Sequence, residues 1–198
     1  MARTIAKDYD EKRAHILRAA AAVFATQGFD RASMTELARE CGISKANIYH
    51  YYDGKVAILF DILDSYLKQL RDRVLHLDAK GLNPEQHLVR TVSEILLAYQ
   101  GADNEHQVQI NAMSALPPEQ QKQLRLCQRD MVSYVSDVIR ANAPEVFDGD
   151  AGKLRATTMS VFGMLNWYYM WNSGAGAQAR DDYARLVCQL TLKGLKGL

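Results

Sequence analysis

Apolar residues recur three and four positions apart along nearly the whole chain, and no alternating β-branched run closed by an Asn-Gly turn interrupts them. That is the helical period, so the pattern predicts about nine helices and no sheet. A first helix is expected from about Asp10 to Gln27, with Ile16, Ala19, Ala20, Val23 and Phe24 as its apolar stripe. Gly28 can end it in a left-handed C-cap, and Phe29 is placed for the hydrophobic contact that accompanies such a cap. Ser33, followed three positions later by Glu36, forms a capping box that opens a second helix to about Glu40. Gly42 permits a tight turn, and Ser44 can cap a short third helix from Lys45 to about Tyr51. Asp53 and Gly54 break that helix. A fourth then runs from Lys55 to about Leu77, long enough to span roughly 35 Å.

Later helical segments are expected at about 85–100, 104–114, 118–141, 151–173 and 180–195. The breaks "QGADNE", "LPPE", "NAPEVFDGD" and "SGAGAQ" are made of residues that leave helices readily. A length of 198 residues suits one domain or two small ones sharing a core. No uncharged apolar stretch is long enough to cross a bilayer, and the charged start "MARTIAKDYDEKR" leads into no apolar signal core. A cytoplasmic protein is expected. Cys41, Cys127 and Cys188 stand outside any CxxC spacing and read as reduced thiols. His76, His87 and His106 lack metal-ligand spacing, so no metal or other cofactor is assigned. Net charge is only +1, so any case for a nucleic-acid partner must come from local geometry.

Residues 33–55, "SMTELARECGISKANIYHYYDGK", supply that geometry. Leu37 and Ala38 can meet Ile43 and Ile48 across the Gly42 turn, and the small Ala38 lets two helices cross closely. This is what a helix-turn-helix requires. With Ile48 and Tyr52 inward, Lys45, Ala46, Asn47, Tyr49 and His50 remain outside. Lys45 can pair with phosphate or with guanine, and Asn47 with adenine. Tyr49 and His50 can reach phosphate or base edges. Thr35, Ser44 and Lys55 can add backbone contacts, with the amides behind Ser44 favouring an anion. Arg3 and Lys7 sit on an N-terminal arm that could reach a groove.

Residues 10–60 resemble the TetR family of bacterial transcriptional regulators, on the run "TELARECGISKANIYHYYDGKVAIL". Thr35, Ala38, Gly42, Ile43, Ser44, Lys45, Ile48, Tyr49, Tyr51, Tyr52 and Lys55 fill places of the family's pattern. Tyr52 stands where Phe is usual, Asp53-Gly54 where Pro-Ser is usual, and Asn47 where Thr or Ser is more frequent. The resemblance implies a homodimer on double-stranded DNA. It also implies a helix-turn-helix domain over 1–54 and an all-helical ligand-binding and dimerisation domain over 55–198.

The stretch "TTMSVFGMLNWYYMWNSGAG" (157–176) is apolar nearly all round, so it must be buried against its own bundle and against another chain. Met159, Phe162, Gly163, Asn166 and Met170 recur at helical spacing and, with Trp167, are candidate ligand contacts. Met113, Met131 and Tyr134 lie on helices that would wall the same pocket. Leu165, Tyr168 and Trp171, with Tyr183, Leu186, Val187 and Leu190 of the last helix, are the candidate dimer interface. "GMLNWYYMW" also resembles regulators of fatty-acid, phenylacetate or steroid-acid degradation that sense acyl-CoA thioesters. The expected function is a repressor released from a pseudo-palindromic operator by a hydrophobic effector, possible classes including acyl-CoA or aryl-CoA thioesters. An activator, a response to a drug or flavonoid, and an architectural DNA-binding protein are the alternatives. Paired carboxylates, a Ser/His/Asp arrangement and a phosphate loop are all missing, so no enzyme is expected.

Overall fold

Ten α-helices and one 3-10 turn make up the computed structural model, which describes residues 2–172 and 174–195, with side chains for 9–172 and 174–194. Among the described residues there is no strand, and the fold is all-α. The helices are α1 (Ala2–Gln27), α2 (Met34–Glu40), α3 (Lys45–Tyr51), α4 (Lys55–Leu75) and α5 (Pro84–Ala98). After them come α6 (Asp103–Ala112), the 3-10 turn Met113–Ala115, α7 (Pro118–Arg140), α8 (Pro144–Phe147), α9 (Ala151–Trp171) and α10 (Ala177–Leu195).

Three features differ from the pattern's expectation. Helix α1 begins at Ala2 instead of about Asp10, because no Gly or Pro between them stops the helical backbone. The arm is therefore a continuation of α1, and the side chains of Arg3 and Lys7 lie outside the described residues. The tenth helix is α8, a single turn inside a segment read as a break. Pro144 starts it with a preset φ, and the buried Phe147 anchors it. Third, α10 starts at Ala177, one turn before the expected start.

The chain divides into two units, Met1–Leu67 with Asn104–Arg125, and Lys68–Asp103 with Leu126–Leu198. The divisions fall inside α4 and α7 and after the first residue of α6. In the first unit Ile16, Ala20 and Phe24 of α1 are buried, with Leu37 and Ala38 of α2, Ile48 of α3 and Ile58, Leu59, Ile62 and Leu63 of α4. Each such Leu or Ile contributes about 1.5–3 kcal/mol of burial, which is how helices of seven residues persist. In the second unit α10 packs on α5 and α9, with Leu88, Val92, Ile95 and Leu96 facing a core that includes Val161, Leu165, Val187 and Cys188.

One charged side chain is sealed in that second core. Arg180 of α10 is 1% exposed. Its Nε donates to the Ala175 carbonyl at 3.0 Å and its Nη1 to the Leu96 carbonyl at 3.2 Å. Its Nη2 lies 3.7 Å from Oδ1 of Asp103, and the guanidinium sits over the Tyr168 ring at 5.5 Å. Arg180 thus ties the ends of α5, α9 and α10 to the first residue of α6. Removing this side chain takes donors from the Leu96 and Ala175 carbonyls and leaves its volume in the core unfilled. Arg180→Ala should therefore lower the unfolding free energy by about 3 kcal/mol, read by urea denaturation.

Candidate functional site

The α2–turn–α3 unit is built from local chemistry. At its start the Ser33 hydroxyl oxygen accepts from the Glu36 amide at 3.2 Å, while the Glu36 carboxylate accepts from the Ser33 amide at 2.9 Å. The Ser33 side-chain and backbone hydrogen bonds hold the Glu36 carboxyl below its ordinary pKa. The turn needs Gly42, whose φ is +64°. A Cβ there would meet nothing, so the requirement is backbone conformation and not space. The Gly42 amide donates to the Arg39 carbonyl and the Ile43 amide to the Ala38 carbonyl, closing the end of α2. The Ser44 hydroxyl then accepts from the Asn47 amide at 3.1 Å, so one of the amides expected to favour an anion is already satisfied within α3.

Helix α3 has one inward residue and a broad outer face. Ile48 is fully buried, and Ser44, Lys45, Ala46, Asn47, Tyr49 and His50 are all exposed together. Thr35, in the first turn of α2, is also exposed. The far end of α3 is held by aromatic contacts: Tyr51 stacks on Tyr9 of α1 at 4.9 Å and meets the His50 ring edge-on at 5.5 Å. Spacing alone did not single out Tyr9, because its partner lies on another helix.

Lys55, expected to add a backbone contact, is engaged within its own chain. Its ammonium donates to the carbonyls of Phe29 at 2.9 Å, Asp30 at 3.0 Å and Ala32 at 3.2 Å, and sits 4.6 Å from the Phe29 ring centroid. An ammonium has three N–H donors, and all three are spent. Lys55 closes the α1–α2 loop against the start of α4. The signal in the sequence was a bare lysine at a helix start, and its target lies more than twenty residues upstream.

The residues expected around a ligand pocket are divided by the structure. Phe162 and Met131 are buried, and Asn166 and Tyr134 are half-buried. Asn166 Oδ1 accepts from the Tyr99 hydroxyl at 2.9 Å, and the Tyr134 hydroxyl pairs with His87 Nε2 at 2.9 Å. Burial raises the Tyr99 phenol well above its ordinary pKa. Met113, half-buried, lies in the 3-10 turn of the other unit. Met159, Gly163, Trp167 and Met170 turn outward; Trp167 is 58% exposed. Phe162 lies on the inner side of α9 and Asn166 at its edge, next to Gly163 and Met170, so the candidate ligand contacts spread from the core to the surface of the helix.

The dimer set divides in the same way. Trp171, Leu186 and Leu190 are exposed, but Leu165, Tyr168 and Val187 are buried inside their own chain. Tyr183 is half-buried and stacks on Tyr168 at 4.5 Å. One reason underlies both divisions. On a helix apolar all round, spacing groups residues into faces but cannot say which face turns inward. In the structure 158, 161, 162, 165 and 168 face the core, and 159, 163, 167, 170 and 171 face out. Leu186 and Leu190 of α10 are exposed as well. A cavity of about 250 Å³ beside them is lined by Val161, Met164 and Leu190 among others. A separate groove of about 560 Å³ between α5 and α10 is lined by charged residues including Arg90, Asp181 and Arg185.

Cys41, Cys127 and Cys188 are free and buried. Burial pushes the Cys188 thiol up to about 12 and raises Cys41 as well, which leaves both unreactive as thiolates. Among the described residues no group of three His, Cys, Asp or Glu is placed to hold a metal, and no helix is long and apolar enough to cross a membrane.

Residues 16–62 match the family model for bacterial regulatory proteins of the tetR family, and residues 81–195 match that for a tetracyclin repressor-like C-terminal domain. A TetR-family transcriptional regulator from Bordetella parapertussis 12822 is 33% identical, with a TM-score of 0.86 over 94% of this chain and 96% of that one. AibR, solved in complex with isovaleryl coenzyme A and operator DNA, shares the fold at 20% identity, with a TM-score of 0.73 over 91% and 98% of the two chains. The transcriptional repressor KstR2 of Rhodococcus jostii (strain RHA1) is 25% identical over 127 residues, 64% of this chain and 57% of that protein. Across the curated relatives it matches, the chain spans between 25% and 67% of their lengths.

The two lysines give opposite expectations in DNA binding. Lys45→Ala should reduce the slope of log affinity against log salt by about 1, the signature of one lost phosphate contact. Lys55→Met should leave that slope unchanged and lower the melting temperature, since its donors hold the protein's own carbonyls. Fluorescence anisotropy across a salt series, with thermal unfolding alongside, measures both.

Proposed function

The chain belongs to the TetR family and is a helix-turn-helix transcriptional regulator, and on that premise we propose that it is a repressor released from its operator by a hydrophobic effector. The observation that carries the reading is the outer face of α3, where Lys45, Ala46, Asn47, Tyr49 and His50 stand exposed around the buried Ile48. Residues 1–54 read DNA in this proposal, with α3 in a major groove and Thr35 and Ser44 against the backbone. Lys45 and Asn47 supply the donors and acceptors that discriminate bases. Residues 55–198 hold the effector and form a homodimer. Two heads then meet two half-sites of a pseudo-palindrome about 34–36 Å apart, or a multiple of that. The protein acts in the cytoplasm, where the operator is, and its role is regulatory instead of catalytic.

The dimer face is the outward row of α9 with the end of α10: Met159, Gly163, Trp167, Met170 and Trp171, with Leu186 and Leu190. An apolar surface of this kind on a chain of average composition is what a second copy covers. Gly163, without a side chain, lets a facing helix approach. The effector site draws on the inward side of α9, Phe162 and Asn166, together with Met131 and Tyr134. We assign the effector to acyl-CoA or aryl-CoA thioesters. AibR was solved with such a thioester, and the "GMLNWYYMW" stretch resembles regulators of that kind. Moving an operator from 99% occupied to 1% requires about 5.5 kcal/mol of differential affinity. Burying an acyl chain of seven or so methylenes in one conformation only would reach that, at about 0.8 kcal/mol each.

Trp167→Glu combined with Leu190→Glu should convert a dimer to a monomer in sedimentation velocity and abolish tight operator binding. A dimer that persists would exclude this face. For the effector, an operator selected from random duplex DNA should be released by isovaleryl coenzyme A or a longer homologue, and less so from Phe162→Ala or Asn166→Ala. Retention of the DNA across a panel of acyl- and aryl-CoAs would exclude the thioester class.

A further inference from the structure

We propose that Asp61 of α4 is a positioning residue that fixes the seating of α3, acting through Tyr52 and Arg13. The proposal rests on α3 being the DNA-reading helix. Tyr52 is the C-cap of α3, and its amide donates to the Ile48 carbonyl at 3.1 Å. Its ring is buried, and its hydroxyl donates to Oδ2 of Asp61 at 2.5 Å. The other oxygen of the same carboxylate accepts from Arg13 Nη2 of α1, also at 2.5 Å. The Asp61 side chain is only 16% exposed. One carboxylate therefore receives a donor from the end of α3 and a donor from α1, from a fixed place on the second turn of α4.

The electrostatics favour this arrangement. Burial, followed by the hydrogen bond to Asp61, raises the Tyr52 phenol far above its ordinary pKa, so it stays a donor at every physiological pH. Burial works against the Arg13 charge, but Asp61 and Tyr52 more than offset it, and its pKa is raised. Both donors are thus present whenever the carboxylate is ionised.

Tyr52 stands where Phe is usual in the family's pattern. A Phe would fill the same apolar seat. What the hydroxyl adds is direction. Apolar packing is non-directional, and a helix of seven residues resting on one buried Ile48 can roll on it. A short charge-assisted hydrogen bond restricts that roll. Base-edge recognition needs several side chains in register at once, whereas phosphate contact tolerates small rotations. Loosening the seat should therefore cost sequence discrimination more than general DNA affinity.

The test uses the full chain, an operator selected from random duplex DNA and a scrambled duplex of equal length at fixed salt. Tyr52→Phe should weaken operator binding about tenfold, the loss expected for one hydrogen bond to a charged group. Binding to the scrambled duplex and the salt slope should stay unchanged. Asp61→Asn should act in the same direction and at least as strongly, since it also weakens the Arg13 contact, and the double variant should bind no worse than Asp61→Asn alone, because the Tyr52–Asp61 bond is common to both changes. An unchanged operator-to-scrambled ratio in Tyr52→Phe would overturn the proposal, as would equal losses on both DNAs or additive losses in the double variant. Lys45→Ala separates the two levels. If it leaves operator binding intact, α3 is not the reading helix; if it weakens binding while Tyr52→Phe keeps the wild-type ratio, only the role of Asp61 falls.

Discussion

A helix of seven residues does not hold itself together in water, since its few internal hydrogen bonds do not repay the ordering of its backbone. That constraint governs this molecule. Helix α3 exists because Ile48 is buried against α2, because Ser44 and Tyr52 close its ends, and because Gly42 lets the chain reverse with φ at +64°. Every one of these fixings is on the inner side or at the ends. The outer side is left with Lys45, Asn47 and Tyr49 exposed, and with His50 exposed beside the Tyr51 ring. An exposed surface of this kind is available for reading DNA.

Around that short helix the structure places polar anchors as well as apolar ones. Lys55 gathers three carbonyls of the α1–α2 loop, and Asp61 collects donors from α1 and the end of α3. Both belong to α4, six positions apart, and reach different partners. The start of α4 is thus fastened to α1, to the α1–α2 loop and to the end of α3 by directional bonds. In the second unit Arg180 does similar work, donating from within the core to the Leu96 carbonyl in the last turn of α5 and the Ala175 carbonyl in the α9–α10 loop. Hydrophobic contacts bring the helices together in each unit, and these few charged groups specify how they are set.

Helix α9 shows the same economy of roles in apolar form. Its inner row, Val161, Phe162, Leu165 and Tyr168, completes the core of its own unit. Its outer row includes Trp167 and Trp171, each 58% exposed, with Trp171 meeting the Tyr168 and Tyr183 rings edge-on. Reading that row as the homodimer face gives each side of the helix a partner and leaves the effector to the inner side.

The sequence by itself determined the all-α class, the capping box at Ser33 and Glu36, the Gly42 turn, and which α3 residues would face out. All of these are settled within a few residues of chain, through cap geometry, positive φ and a single helical period. The tertiary structure decided what those signals could not reach. It turned Met159, Trp167 and Met170 outward and Leu165, Tyr168 and Val187 inward. It sent Lys55 to carbonyls far upstream, made an anchor of Asp61, and sealed Arg180 in a core. A uniformly apolar helix or a lone charge carries no local record of its partner, because the partner is chosen by packing between segments distant in the chain.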